Sequence, residues 1–107
     1  MSENAPRHPG RVLFEDYVYE AGVSLRTLAR EMGVPVTRLS NLCREKNAMT
    51  ADTAIKLAAL PRLAKVFSRD PRYWLNLQME HDLHHAWEKI EADQNSSAKR
   101  RSALGMT

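Results

Sequence analysis

The sequence predicts an all-α fold of five or six helices in which the last helix is the longest. Apolar residues in the middle of the chain recur at helical spacing, and no stretch shows the sustained Val, Ile and Thr alternation of a half-buried strand. Glycine and proline, with 4 and 5 residues in 107, fall at points that suit helix ends. A chain of this length is expected to form one core with tails.

Composition excludes several classes of protein. A single cysteine, Cys43, cannot form an intrachain disulfide framework or a Cys-based zinc site. No apolar run approaches the roughly 18 residues of a membrane-spanning helix. The first residues lack the charged-then-apolar pattern of a secretory signal. These features predict a small cytoplasmic protein with no cofactor, no metal and no membrane partner.

The charge of the chain is unevenly distributed. The net charge is +3 and the pI about 9.3. Residues 24–46 hold five basic and two acidic side chains, whereas the stretch from residue 80 to 94 is predominantly acidic. A basic middle between acidic segments is typical of a surface that binds a polyanion, although chance clustering on a solvated surface is an equal alternative.

The first two helices are delimited by glycines. The first helix is predicted to begin after Pro9-Gly10 and to end at Ala21-Gly22, because glycine suits the left-handed residue that ends a helix. Ser24 is the N-cap candidate of the second helix, which Gly33 closes. The apolar residues expected to face the core are Val12, Leu13, Tyr17, Val18, Leu25, Leu28, Ala29 and Met32.

The third helix is predicted to begin at Pro35 or Val36, since proline is tolerated where the first-turn N–H has no partner. Thr50 is expected to cap a fourth helix, with Asp52 near its positive end. The predicted inward side of the third helix consists of Val36, Leu39, Leu42 and Cys43. That of the fourth consists of Ala54, Ile55, Leu57 and Ala58.

The C-terminal half is predicted to hold a short helical continuation and one long helix. Pro61 should break the fourth helix and leave a continuation over Leu63, Val66 and Phe67. Asp70-Pro71 has the form of an N-cap followed by a first-turn proline, and the last helix is expected to span about Arg72 to Ala92. The predicted organisation is an arm over residues 1–8, one helical domain with its C-terminal helix over 9–92, and a disordered basic tail over 93–107. Residues of the last helix expected in burial or partner contact are Trp74, Leu77, Leu83, Trp87 and Ile90.

The stretch from Leu25 to Arg44 has the spacing of a helix-turn-helix. Ala29 supplies the small residue at the helix crossing, and Gly33, four positions later, supplies the positive φ of the turn. A plain helical hairpin has no need of that Ala/Gly spacing, so the pattern favours a DNA-binding motif. The apolar residues at the offsets that lock the two helices together are Leu28, Met32, Val34, Leu39 and Leu42.

Several segments resemble a known family. The Xre/lambda-repressor-like domain is suggested by Gly22-Val23-Ser24, Leu28-Ala29, Gly33-Val34, Leu39-Ser40-Asn41-Leu42 and Met49-Thr50-Ala51-Asp52. More narrowly, His8-Pro9-Gly10 and Tyr73-Trp74-Leu75-Asn76-Leu77-Gln78 resemble the HigA antitoxins of type II toxin–antitoxin systems. The resemblance covers about residues 8–83. It implies an all-α repressor, usually dimeric, that binds operator DNA, represses its own operon and neutralises a HigB-type, RelE-like mRNA-cleaving toxin.

The chain departs from this family at two places. The family usually has glycine just after its DNA-recognition helix, which corresponds to the third helix here. This chain has Glu45 at that position, so either the cap differs or Glu45 adopts a costly backbone conformation. The segment Ala59-Leu60-Pro61-Arg62-Leu63-Ala64 resembles an insertion, which affects the path between the fourth and fifth helices.

The start and outer face of the third helix are expected to enter the major groove, where base edges present distinct donors and acceptors. The residues predicted to contact bases are Val36, Thr37, Arg38 and Asn41. Those predicted to contact phosphate are Ser24, Arg26, Arg44 and Lys46, which would give affinity and register but no sequence choice. Each is also compatible with a plain solvated surface residue.

A two-fold homodimer on an inverted repeat is expected, with half-sites about 34 Å apart. Trp74, Tyr73 and Trp87 are candidates for the dimer interface, with Trp74 better suited to the core and Trp87 to the interface. On a helix His81, His84 and His85 share a face, but no thiol lies near them in sequence. Polar surface or interface histidines are therefore favoured over a metal site.

The sequence contains no glycine-framed nucleophile, phosphate-cradling loop or paired buried carboxylates, so it does not predict an enzyme. Three functions remain. The first is an antitoxin and autorepressor. The second is a stand-alone Xre-family transcriptional regulator without a toxin partner. The third is a protein-interaction module that has lost DNA binding, for which Glu45 and the weakly polar Pro35-Val36 start are the only hints.

Overall fold

The computed structural model describes residues 5–61 and 70–103, with side chains as far as residue 95. Within these residues the α-helices are α1 (Pro9–Leu13), α2 (Leu25–Met32), α3 (Val36–Cys43), α4 (Ala51–Ala58) and α5 (Arg72–Ala103), and a π-helical segment (Phe14–Tyr19) continues α1. Residues 5–61 and 70–103 contain no strand. The predicted all-α fold with a longer C-terminal helix is confirmed.

One core joins the helices. Trp74 of α5 is 1% exposed, and its ring centroid lies 5.7 Å from that of Tyr17. The core placement preferred for Trp74 is therefore confirmed. The largest fully buried side chains around it include Leu13, Leu28, Leu39, Leu42 and Leu57. Burial of this apolar surface is the main stabilising contribution, and it fixes α3 against its neighbours.

The helix ends match the predicted caps. The hydroxyl oxygens of Ser24 and Thr50 accept hydrogen bonds from the N–H groups three residues later, at 3.1 and 3.3 Å. A carboxylate oxygen of Asp70 accepts from the Arg72 N–H at 3.0 Å. Gly22 and Gly33 have φ values of 67° and 72°, in the left-handed region that ends helices.

The first helix begins earlier than predicted. Helix α1 starts at Pro9, because the Nδ1 atom of His8 accepts a hydrogen bond from the Gly10 N–H at 3.0 Å and caps the helix. His8, the last residue of the predicted arm, is only 5% exposed. Arg7 is also fixed, through contacts of 3.0 Å to Glu15 and 2.9 Å to Asp16. The Arg7 and Arg11 guanidinium groups hold the pKa of Glu15 below its usual value.

Two predicted core positions are wrong. Val36 and Ile55 are 40% and 56% exposed. At 100° per residue, Leu42 lies about 120° around α3 from Val36. The orientation of the helix that buries Leu42 therefore turns Val36 toward solvent. Ile55 likewise lies about 100° around α4 from the buried Ala54. In α5, Leu83, Trp87 and Ile90 are exposed, which leaves partner contact as their predicted role.

The last helix is longer than predicted. Helix α5 continues past the expected end at Ala92 to Ala103, within the stretch 93–107 for which a disordered tail was predicted. No glycine or proline lies between Arg72 and Ala103, and nothing local stops the helix. The continuation predicted over Leu63, Val66 and Phe67 lies outside the described residues.

Candidate nucleic-acid interface

Helix α3 is held by its buried side and by a close backbone contact. Leu39 and Leu42 are fully or almost fully buried, so the opposite side of the helix faces away from the core. A Cβ atom added at Gly10 would lie 1.8 Å from the carbonyl oxygen of Leu42. Only glycine therefore allows α1 to approach the end of α3 this closely.

Helix α3 ends in the conformation that glycine usually takes, with Glu45 in its place. Glu45 has φ 63°, and its N–H donates to the Leu42 carbonyl at 3.0 Å. The Lys46 N–H donates to the Asn41 carbonyl at 2.8 Å, which completes a Schellman motif. Of the two alternatives for Glu45, the structure therefore shows the strained backbone and not a different cap.

The four predicted base-contacting residues lie at the start and outer side of α3. Val36, Thr37 and Arg38 are exposed, and Asn41 is half-buried. Val36 thus takes the outward role predicted for it and not the inward one. Together these residues form a surface with a guanidinium, an amide, a hydroxyl and methyl groups, which are the groups that contact base edges in the major groove.

The four predicted phosphate-contacting residues are all exposed, but they do not form one cluster. Lys46 lines the same cleft as Arg38, whereas Arg44 lies on another side of α3 in a groove with Phe14 and Leu25. The Ser24 hydroxyl caps α2 and also donates to the Thr27 hydroxyl at 2.9 Å.

A cleft of about 520 Å³ separates α3 from the start of α4. We call it the α3–α4 cleft, and its lining consists of Arg38, Leu42, Lys46, Asn47, Ala48, Thr50, Asp52 and Thr53. An oxygen of Asp52, Oδ2, lies 3.4 Å from Nη1 of Arg38 and 3.1 Å from Nζ of Lys56. Sequence reasoning missed this network, because it assigned Asp52 only to the positive end of α4.

Helix α5 anchors the loop between α3 and α4. The Met49 N–H donates to Oε1 of the buried Gln78 at 2.6 Å, and Nε2 of Gln78 donates to Asp82 at 2.9 Å. The loop that carries Lys46 and Thr50 is thereby tied to the long helix. Sequence reasoning named Gln78 only as part of a family motif and missed this contact, because the two partners are 29 residues apart.

All four histidines of the chain lie in one row. Ring centroids are 5.0 Å apart for His8 and His81, 4.3 Å for His81 and His85, and 5.5 Å for His84 and His85. Burial lowers the pKa of His8, with a further contribution from His81, while Glu45 and Asp82 oppose the shift. Among the described residues, no three His, Cys, Asp or Glu side chains are placed to hold a metal ion.

Cys43 is partly buried, and desolvation raises the pKa of its thiol to about 11, so the unreactive thiol form dominates near pH 7.

Among the described helices, none combines the length and apolar character that a bilayer crossing requires.

Comparisons with known proteins extend these observations. A helix-turn-helix family model matches residues 18–64, which include α2, α3 and α4. The chain is 38% identical over 76 residues to virulence-associated protein I of Dichelobacter nodosus, a match that covers 71% of this chain and 65% of that protein. It is 33% identical to antitoxin HigA-1 of Vibrio cholerae, over 77% of this chain and 71% of the relative.

A solved structure supports the same assignment. The Pseudomonas aeruginosa antitoxin HigA with the higBA promoter superposes with a TM-score of 0.68 at 30% identity, over 82% of this chain and 89% of that one. Because the matched family consists of DNA-binding regulators and antitoxins, the prediction of a non-enzymatic protein is confirmed. The chain belongs to the HigA-type antitoxins of the Xre/lambda-repressor-like helix-turn-helix family.

Proposed function

We propose that the chain is a sequence-specific DNA-binding antitoxin that represses its own operon and neutralises a HigB/RelE-like mRNA-cleaving toxin. The observation that carries the DNA-binding part is the outer face of α3, which is exposed and polar while Leu39 and Leu42 fix its opposite side in the core. A rigid helix with one exposed polar face fits the major groove. The promoter-bound HigA structure provides a relative in which the same fold is seen with DNA.

Base recognition is assigned to the residues of this face. The Arg38 guanidinium can donate to the two acceptors of guanine. The Asn41 amide can donate to N7 of adenine through its NH₂ group and accept from the adenine N6–H through its oxygen. Methyl groups of Val36 and Thr37 suit the thymine methyl. Arg26, Arg44 and Lys46, together with Ser24 at the start of α2, would hold the phosphates on either side and so set the register.

The dimer is assigned to an exposed apolar stripe on α5, which we call the α5 stripe and define as Met79, Leu83, Trp87 and Ile90. Each of these side chains is about half exposed or more, and their spacing of four, four and three residues places them along one side of the helix. Stripes of this kind are typical of helix–helix interfaces. A two-fold pair would present two α3 helices to an inverted repeat.

The toxin-binding part of the proposal is supported by family membership and by charge. The described stretch from Glu80 to Asp93 carries five acidic side chains and one lysine. Such a surface suits a basic partner, and ribonucleases that bind mRNA need basic surfaces. The supporting result would be that co-expression with the product of the adjacent gene yields a stable complex without toxicity.

The decisive experiment is footprinting of the protein on the DNA upstream of its own coding region, with and without the adjacent gene product. Protection of an inverted repeat, changed by the second protein, supports the full proposal. Protection that the second protein leaves unchanged, together with no complex, favours the stand-alone regulator. If no specific sequence is protected, the DNA-binding proposal fails.

A further inference from the structure

Asp52 lies between two cations at the edge of the proposed DNA surface. Its Oδ2 atom is 3.4 Å from Arg38 on α3 and 3.1 Å from Lys56, one turn later on α4. All three side chains are substantially exposed, at 45% for Arg38, 59% for Asp52 and 37% for Lys56. An acidic side chain in this place repels phosphate and competes for Arg38, so it weakens the general attraction to DNA.

Folding stability explains the position of Asp52 in the first turn of α4 but not its contact with Arg38. Exposed ion pairs contribute little to folding, since they are solvated and screened by salt. Helix α4 is also already capped by the Thr50 hydroxyl. The contact between Asp52 and Arg38 is therefore expected to affect how Arg38 interacts with DNA.

The contact with Asp52 restricts the Arg38 side chain but does not occupy all of its N–H donors. Asp52 engages Nη1, whereas an arginine fork carries five N–H donors. The side chain is thus directed along the wall of the α3–α4 cleft, and donors remain for the two acceptors of a guanine edge. A phosphate that approached the remaining donors would be repelled by the Asp52 carboxylate, whereas a guanine edge carries no net charge and offers two aligned acceptors.

We propose that Asp52 is a specificity-determining residue that positions Arg38 for base contact and disfavours its pairing with phosphate on unrelated DNA. This inference rests on the proposed function and deepens it. Lys56 shares the carboxylate, so removing Asp52 releases two cations to the DNA surface.

The test substitutes Asp52→Asn, which keeps the shape and removes the charge. Affinity for unrelated duplex DNA is expected to rise about three- to fivefold, with a log–log salt slope steeper by about one or two. Affinity for the operator should rise less or fall, so the ratio of specific to non-specific binding drops. Asp52→Ala should shift the ratio in the same direction, and thermal unfolding of both variants checks that they are folded.

A double-mutant cycle separates positioning from general charge. Discrimination lost in Asp52→Asn should be confined to the base pair at which Arg38→Ala loses discrimination. The double variant should lose no more there than Arg38→Ala alone. Lys56→Met is the matched control, since it removes one cation but keeps the contact between Asp52 and Arg38, and it should leave base discrimination unchanged.

The outcomes are distinct. If the wild-type protein shows no preference for its operator, the proposed function itself fails. If the wild type is specific and Asp52→Asn leaves the binding ratio unchanged, or alters discrimination equally at all base pairs, only the role of Asp52 is overturned.

Discussion

Glu45 terminates α3 in a backbone conformation that favours glycine. Its φ of 63° places the Cβ atom close to the following carbonyl. Its carboxylate lies 3.5 Å from Arg11 and 3.9 Å from His81. We therefore expect Glu45→Gly to be more stable than Glu45→Ala by about 1 kcal/mol, because both lack the carboxylate and only alanine keeps the strain. Denaturant unfolding measures the difference. Equal free energies of unfolding would contradict the assignment of strain.

His8 caps α1 through a nitrogen that must be unprotonated to accept from the Gly10 N–H. Burial lowers the pKa of His8 in the folded state, with His81 adding to the shift and with Glu45, Asp82 and the Asn47 backbone opposing it. The unfolded chain therefore binds the proton more tightly. The stabilisation is complete above about pH 6.5 and is lost as the pH falls below that value.

His8→Asn is the matched variant for this pH dependence, since asparagine can cap a helix but does not titrate. Its free energy of unfolding should fall less than that of the wild type between pH 7.5 and 5.5, measured by urea unfolding at each pH. Identical decreases for the two proteins would show that His8 is not the group responsible.

Some of the individual helix caps and contacts could be predicted from the sequence, and others could not. Ser24, Thr50 and Asp70 were predictable as caps because a cap acts over two or three residues. His8 was not, because histidine is not among the usual N-cap residues. The contact from Asp52 to Arg38 and that from Gln78 to Met49 span 14 and 29 residues and arise only from the tertiary arrangement.

At the scale of elements, Gly10 sets the distance between α1 and α3. A methyl group there would overlap the Leu42 carbonyl at 1.8 Å, whereas one at Gly22 would meet nothing within 4 Å. Gly10→Ala should therefore destabilise the protein by about 3 kcal/mol or more, since backbone must move. Gly22→Ala should lose only about 1 to 2 kcal/mol, the penalty of its positive φ. Thermal or denaturant unfolding of both variants provides the comparison, and a Gly10→Ala variant no less stable than Gly22→Ala would refute the close packing.

Helix existence was easier to predict than helix extent. The apolar period located α2, α3 and α4, and the Ala29 and Gly33 spacing identified the turn between the first two. The π-helical segment Phe14–Tyr19 has no simple sequence signal. The polar stretch Gln94-Asn95-Ser96-Ser97 suggested a tail, but polar residues without glycine or proline are compatible with a helix, and α5 continues through them.

For the whole molecule, the α5 stripe determines the proposed oligomeric state. Trp87 is 62% exposed and is the largest side chain of the stripe. If it lies in a dimer interface, Trp87→Ala should weaken association by about tenfold or more, as expected for a buried aromatic anchor. Lys89→Ala, on a different side of α5, is the control and should leave association unchanged. Sedimentation equilibrium measures both, and a wild-type protein that remains monomeric at high concentration would contradict the proposed dimer.

The outward face of α3 was largely predictable, because the helical period that buries Leu39 and Leu42 also determines which residues face solvent. The exception is Val36, for which the sequence allowed both an inward and an outward role. The α3–α4 cleft was not predictable, since it depends on how α4 packs beside α3.

The most direct test of the proposed base contacts by α3 compares Arg38→Ala with Lys46→Ala in titrations against the operator and single-base variants at several salt concentrations. Arg38→Ala should reduce discrimination by about 1–3 kcal/mol at one base pair. Lys46→Ala should weaken binding to every sequence alike and lower the salt slope by about one. If Arg38→Ala binds the operator and all its variants as the wild-type protein does, α3 does not read the bases.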